Sequence, residues 1–146
     1  MADAPGAVFN EAFTEVRYGE TDQMGYAHHS TFVFWFELGR VHWLREYGLS
    51  YRKLEASGVL LPVTAMTIRY HAPGRFEDPI VIRTRLAKVT KVRVVFENEV
   101  LRVEKDGSRT LLASGSVDLA CLDREGRVQR LPKSLTSLGE RLRVNG

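Results

Sequence analysis

From Phe13 to Tyr18 the residues alternate apolar and polar (FTEVRY), the period of a strand with one buried face. A polar stretch containing Gly19 and Gly25 continues to His29, and the pattern then changes. Phe32, Val33, Phe34, Trp35, Phe36, Leu38, Val41, Trp43 and Leu44 follow, with Glu37, Arg40 and Arg45 as the polar exceptions. This predicts a helix running to about Tyr47, where Gly48 supplies a left-handed stop. Ser30 or Thr31 stands where a hydroxyl accepts from a free amide of the first turn. A shorter helix is expected over Ser50 to Ser57, ending near Gly58.

Beyond Gly58 the period becomes two. Strands are predicted over Leu60 to Tyr70, Ile80 to Val89, Val92 to Val103 and Arg109 to Leu122. Pro73-Gly74, Asp78-Pro79 and Asp106-Gly107 mark turns between them, and Asp106-Gly107 joins two alternating runs as a tight hairpin does. Arg124 to Arg130 reads as a polar turn and Leu135 to Leu142 as a last short helix.

A helix apolar on nearly every side is expected to be enclosed rather than laid on a surface. One such helix with about five mostly antiparallel strands is most economically an α+β fold, its sheet curled around the helix. The outer strand edge then wants a partner, which predicts a dimer.

Composition narrows the class. A chain of 146 residues suits one domain, 1–146, with a core large enough to need no disulfides. An apolar fraction of 44% with 27% charged residues is that of a globular protein. The single cysteine, Cys121, cannot pair within the chain and fits a reducing compartment. The N-terminus has neither the basic start nor the apolar segment of a signal peptide, and the longest apolar run, Phe32 to Phe36, is too short to span a bilayer. A cytoplasmic location is expected.

The net charge is only +3, but Arg83, Arg85, Lys88, Lys91 and Arg93 fall together with no acid among them. Such a stripe suits phosphates; it equally suits the solvated face of a sheet. Nucleic acid is disfavoured because no aromatics are interleaved with the cations.

Several catalytic signatures are missing: no nucleophile elbow, no P-loop, no dinucleotide fingerprint and no zinc-protease helix. His28 and His29 are adjacent, so their rings should point apart, and no further ligand follows at metal spacing; no metal is expected. Asp22 is the notable carboxylate. In a loop it can fold into an Asx-turn. It also precedes a helix start, where free amides and the macrodipole stabilise a developing oxyanion. Gly25 lets the backbone turn sharply or approach a substrate. His28 reads as a solvated or capping residue, His42 and His71 as structural, and Cys121 as a small core residue.

The segment VRYGETDQMGYAHHSTFVFWFELGRVHWL resembles the first half of the hot-dog-fold acyl-CoA thioesterases of the 4-hydroxybenzoyl-CoA thioesterase type. The matching positions are Tyr18, Thr21-Asp22, Gly25, His28-His29, Thr31-Phe32 and Phe36-Glu37. Two further blocks, Tyr70 to Leu86 and Val89 to Val100, are similar to later family segments. His28 departs from the family's usual aromatic, and Thr31 from its usual Asn, which affects acyl preference.

The resemblance implies a five-stranded curled antiparallel sheet wrapped around one long helix, assembled as a homodimer or homotetramer. It also implies hydrolysis of an acyl-CoA thioester without cofactor or metal. Asp22 would be nucleophile or general base, and the His29 amide would polarise the carbonyl, with Gly25 shaping the loop. Lys91 and Arg93 would hold CoA phosphates, while Phe32 and Thr31 would line the substrate site. Two alternatives stay open: a hot-dog hydratase or dehydratase using His29 with Asp22, and a non-enzymatic acyl- or nucleotide-binding module.

Overall fold

The computed structural model describes residues 8–144. Its strands are β1 (Asn10–Glu15), β2 (Val63–Tyr70), β3 (Pro79–Val89), β4 (Arg93–Val103) and β5 (Arg109–Ala120). Its α-helices are α1 (Thr31–Glu46), α2 (Tyr51–Ala56) and α3 (Lys133–Arg141). The strands form one sheet in the order β1-β3-β4-β5-β2, every pair antiparallel. This is the curled sheet of a hot-dog fold, with α1 against its inner face.

The period of two explains the sheet. Val94, Phe96, Asn98 and Val100 of β4 are buried, while Arg93, Val95, Glu97 and Glu99 between them are partly exposed. Buried residues of α1 (Phe32, Trp35, Phe36, Trp43, Leu44) pack with Ile80, Ile82, Leu86, Phe96, Val117 and Leu119 in one core. Trp43 meets Phe96 edge-on, with ring centres 5.2 Å apart. Gly39 brings α1 close to the sheet. A Cβ there would collide with the Thr84 hydroxyl and lie 2.7 Å from Ile82 Cγ2.

Four departures from the sequence-based expectations concern the elements that frame the sheet and the central helix. The first strand ends at Glu15, because Val16 pairs outside the ladder with Asp78 and Glu77. Leu60 makes only an isolated bridge to Leu122; Pro62, with no amide to donate, interrupts the predicted run before β2. Neither hydroxyl at the start of α1 caps it: the Ser30 hydroxyl pairs with His28 Nδ1 at 2.7 Å, and that of Thr31 donates to the Glu20 carbonyl at 3.1 Å.

The fourth difference is the largest. Helix α1 is not enclosed within one chain: Val33, Phe34 and Leu38 are exposed, Phe34 at 64%. A single curled sheet covers one side of a helix and leaves the opposite apolar strip open, next to Phe13 of β1. The Asp106-Gly107 hairpin forms as predicted. Gly107 adopts a φ of 86°, and Asp106 Oδ1 accepts the Ser108 amide at 2.9 Å.

Candidate active site

The loop from Thr21 to Ala27 closes on itself through an antiparallel bridge between those two residues. The Asp22 amide donates to the Tyr26 carbonyl at 2.8 Å, and the Gly25 amide to the Asp22 carbonyl at 3.0 Å. Gly25 has a φ of 81°, which makes this turn a glycine position. The loop is also tied down from outside. Ala27 donates to the Gly74 carbonyl at 2.8 Å, Tyr26 bridges Arg75, and the Arg75 guanidinium lies 5.4 Å from the Tyr26 ring centre.

Asp22 realises the Asx-turn expected of a short acid in a loop. Its Oδ1 accepts from the amides of Met24 at 2.9 Å and Tyr26 at 3.1 Å. Its Oδ2 has no hydrogen-bond partner among the described residues, and the side chain is only half-buried. One carboxylate oxygen therefore holds the loop, and the other remains available for chemistry.

The chain then enters α1. His28 donates its amide to the Glu20 carbonyl at 2.8 Å, and the Thr31 hydroxyl donates to the same oxygen. These two bonds set the helix start beside the Asp22 loop. The amides of Ser30, Thr31 and Phe32 are all engaged, by His28 Nδ1, the His28 carbonyl and the His29 carbonyl. The His29 amide donates to no group among the described residues. It is thus the free donor at a helix N-terminus, where the macrodipole adds positive potential.

The rings of His28 and His29 stack with centres 4.3 Å apart, contrary to the expectation that they diverge. The chain is already bending into the helix at Ser30, whose φ and ψ are helical, and the Ser30 hydroxyl anchors the His28 ring. Thr31 and Phe32, expected to line the substrate site, are only 4% and 3% exposed. Phe32 packs edge-on against Trp35 and Tyr70, so both residues support the helix start from beneath. Large exposed side chains stand at the loop instead: Tyr18, Met24 and Phe76, with Tyr18 and Phe76 in ring contact at 5.6 Å.

Sequence pattern assigns no role to Tyr70, at the end of β2. Its hydroxyl donates to the His29 carbonyl at 3.0 Å. Its place in the second family-like block was the available signal, but only folding brings it to the helix start.

The basic stripe resolves into two parts. Antiparallel register sets Arg83 opposite Glu99 and Arg85 opposite Glu97, with charged contacts of 2.7 and 2.6 Å. Arg83 also reaches Glu11 of β1 at 3.4 Å, and Arg109 hydrogen-bonds the same carboxylate, holding it below its ordinary titration range. The acids missing from the local sequence thus come from neighbouring strands, and this part of the stripe is a charge ladder. Arg93 is looser, 3.8 Å from Asp118. Lys91 is exposed in the β3–β4 turn and has no ion pair among the described residues. Cys121 is buried, and desolvation pushes its thiol up, as for a core residue.

The chain matches the thioesterase-like superfamily model over residues 16–139, a span that includes the whole loop and helix start. It belongs to that superfamily. It is 31% identical to the acyl-CoA thioester hydrolase YbgC of Escherichia coli O157:H7, over 84% of this chain and 89% of that protein. Among solved structures it is similar to a hypothetical protein, TT1821, of Thermus thermophilus, with 35% identity, a TM-score of 0.83 and coverage of 92% and 98%. It is also similar to the DHNA-CoA thioesterase of Staphylococcus aureus, with 27% identity, a TM-score of 0.80 and coverage of 90% and 87%.

Proposed function

We propose that this protein is an acyl-CoA thioesterase, hydrolysing an acyl-CoA to the free acid and CoA. The reading is supported by a half-engaged carboxylate, Asp22, and an unengaged helix-start amide, that of His29, in a chain whose relatives include a named acyl-CoA thioester hydrolase.

In this reading the thioester carbonyl oxygen accepts from the His29 amide, and the helix dipole stabilises the negative charge that grows on it. The free oxygen of Asp22 either attacks the carbonyl carbon or removes a proton from the attacking water. Direct attack forms a mixed anhydride and expels CoA thiolate, which takes a proton from solvent; water then opens the anhydride. Base catalysis leads to the same products without the covalent stage. Neither course calls for a cofactor. Lys91 and Arg93 are positioned by this proposal at the CoA phosphates. A hydratase would need the His29 ring near the carboxylate, but that ring stacks on His28 and makes no hydrogen bond to Asp22 among the described residues.

The proposal includes a homodimer or dimer of dimers in the cytoplasm. Strand β2 is a sheet edge with Val63, Thr64, Ala65, Thr67, Arg69 and Tyr70 exposed, and the open strip of α1 adds apolar surface in need of cover. A panel of acyl-CoAs assayed for free thiol release tests the activity. Enzyme-dependent release from at least one member is expected; no release from any aliphatic or aromatic member would refute it.

A further inference from the structure

From His28 to Phe32 the backbone amides at the entrance to α1 are engaged among the described residues, with that of His29 as the exception. Three of them follow the usual rule and donate to carbonyls: His28 to Glu20, Thr31 to His28 and Phe32 to His29. The Ser30 amide differs in kind. It donates to a side chain, the Nδ1 of His28, at 3.2 Å.

A backbone amide can only donate, so this contact fixes the state of the ring. Nδ1 must present its lone pair, which makes His28 a neutral imidazole with its proton on Nε2. The Ser30 hydroxyl, 2.7 Å from the same nitrogen, is then a second donor to it. Stacking on the His29 ring, with centres 4.3 Å apart, restrains the plane of the imidazole.

An acceptor at one position taking the amide two residues on is also the geometry by which Asp22 holds Met24. His28 does with a ring nitrogen what Asp22 does with a carboxylate oxygen. It supplies the cap that the hydroxyls of Ser30 and Thr31 do not. The peptide joining His29 to Ser30 is thereby held at both ends, by the Tyr70 hydroxyl at its carbonyl and by His28 at its amide.

We infer that His28 is a positioning residue: its Nδ1 occupies the Ser30 amide and fixes the peptide beside His29, leaving the His29 amide as the one donor for the substrate carbonyl. With the ring withdrawn, the Ser30 amide becomes a second free donor that competes for the same oxygen or for water. The effect on rate rests on the thioesterase reading; the capping bond and the ring state do not.

Two variants and one spectrum test the assignment. His28→Phe keeps a ring that can stack but has no acceptor. It should lower kcat on a hydrolysed acyl-CoA roughly three- to ten-fold, the scale of one ordinary hydrogen bond, with KM nearly unchanged. His28→Asn gives up the stack but restores an acceptor for the amide two residues on, and it should recover most of that loss. In nitrogen-15 spectra of the wild-type protein at mildly alkaline pH, the His28 signals, recognised by their absence in His28→Asn, should show a bare Nδ1 and a protonated Nε2. A stacking role predicts the opposite order, with Phe near wild type and Asn impaired, and that result overturns the inference. So does a proton on Nδ1, or a rise in KM shared by both variants at unchanged kcat, which would make His28 a substrate contact. Absence of thiol release by the wild type would instead refute the thioesterase reading, and the ring state would still decide the capping role.

Discussion

The Tyr70 hydroxyl donates to the carbonyl of His29 at 3.0 Å, so the last residue of edge strand β2 holds the peptide that opens helix α1. The Tyr70 ring also meets Phe32 edge-on, with centres 5.3 Å apart. Tyr70→Phe keeps that ring contact and removes only the hydrogen bond. An exposed bond of this kind contributes about 1 kcal/mol or less to stability, so Tm should move little. If the bond orients the His29 peptide, kcat should fall several-fold while KM is nearly unchanged. Wild-type kcat in this variant would make the contact structural only.

Asp22 has a structural task and a proposed chemical one, and two substitutions separate them. Asn keeps an oxygen to accept the Met24 and Tyr26 amides, so Asp22→Asn should fold with near-normal Tm. Its kcat should fall by about 10²–10⁴, the usual contribution of a general base. Asp22→Ala should lose both activity and loop stability. Under single turnover in oxygen-18 water, a mixed anhydride opened by water at its Asp22 carbonyl labels that carboxylate, whereas base catalysis leaves it unlabelled and puts the label in the product acid. Substantial hydrolysis by Asp22→Asn removes the carboxylate from the mechanism.

The two parts of the basic stripe should respond differently. Replacing Lys91 and Arg93 together by Ala should raise KM for an acyl-CoA with little change in kcat, because phosphate contacts hold ground and transition states alike. The effect should vanish on a short thioester lacking the nucleotide. Arg83→Ala should leave KM alone and lower Tm, since it removes the cation paired with Glu99, while Glu11 keeps Arg109. An equal loss on both substrates for the Lys91/Arg93 variant would make those cations structural too.

Gly39 offers a contest between two known effects. Glycine to alanine inside a helix ordinarily gains about 0.5–1 kcal/mol. Here the added methyl meets Thr84 and Ile82 of the sheet, and overpacking of this kind costs about 1–3 kcal/mol. Gly39→Ala should therefore lower the denaturation midpoint, with the m-value unchanged. A rise in the midpoint would mean that helix and sheet can separate without loss.

Local pattern alone determined much of this protein. The two-residue period placed the buried face of β4, because side chains on a pleated strand alternate whatever the strand pairs with; in β3 and β5 burial also reaches Val81 and the adjacent pair Leu112 and Ala113. The apolar run after Thr31 predicted α1, and Asp106-Gly107 predicted its hairpin, because both depend on nearest neighbours. The loop residues Asp22, Gly25 and His29 are close in sequence, so their association with the helix start could be read before any fold was known. Tertiary structure decided what depends on residues far apart. The acids that neutralise Arg83 and Arg85 lie on other strands, and only register brings them opposite. Tyr70 is 41 positions from His29, and no local pattern points one at the other. Arg40 reads as one of three polar interruptions in an apolar helix; its burial, with a hydrogen bond to the Tyr51 hydroxyl of α2, became visible only in the folded chain. The open side of α1 had the same origin. Sequence records that a residue is apolar, but the curvature of the sheet determines which apolar residues one chain can cover.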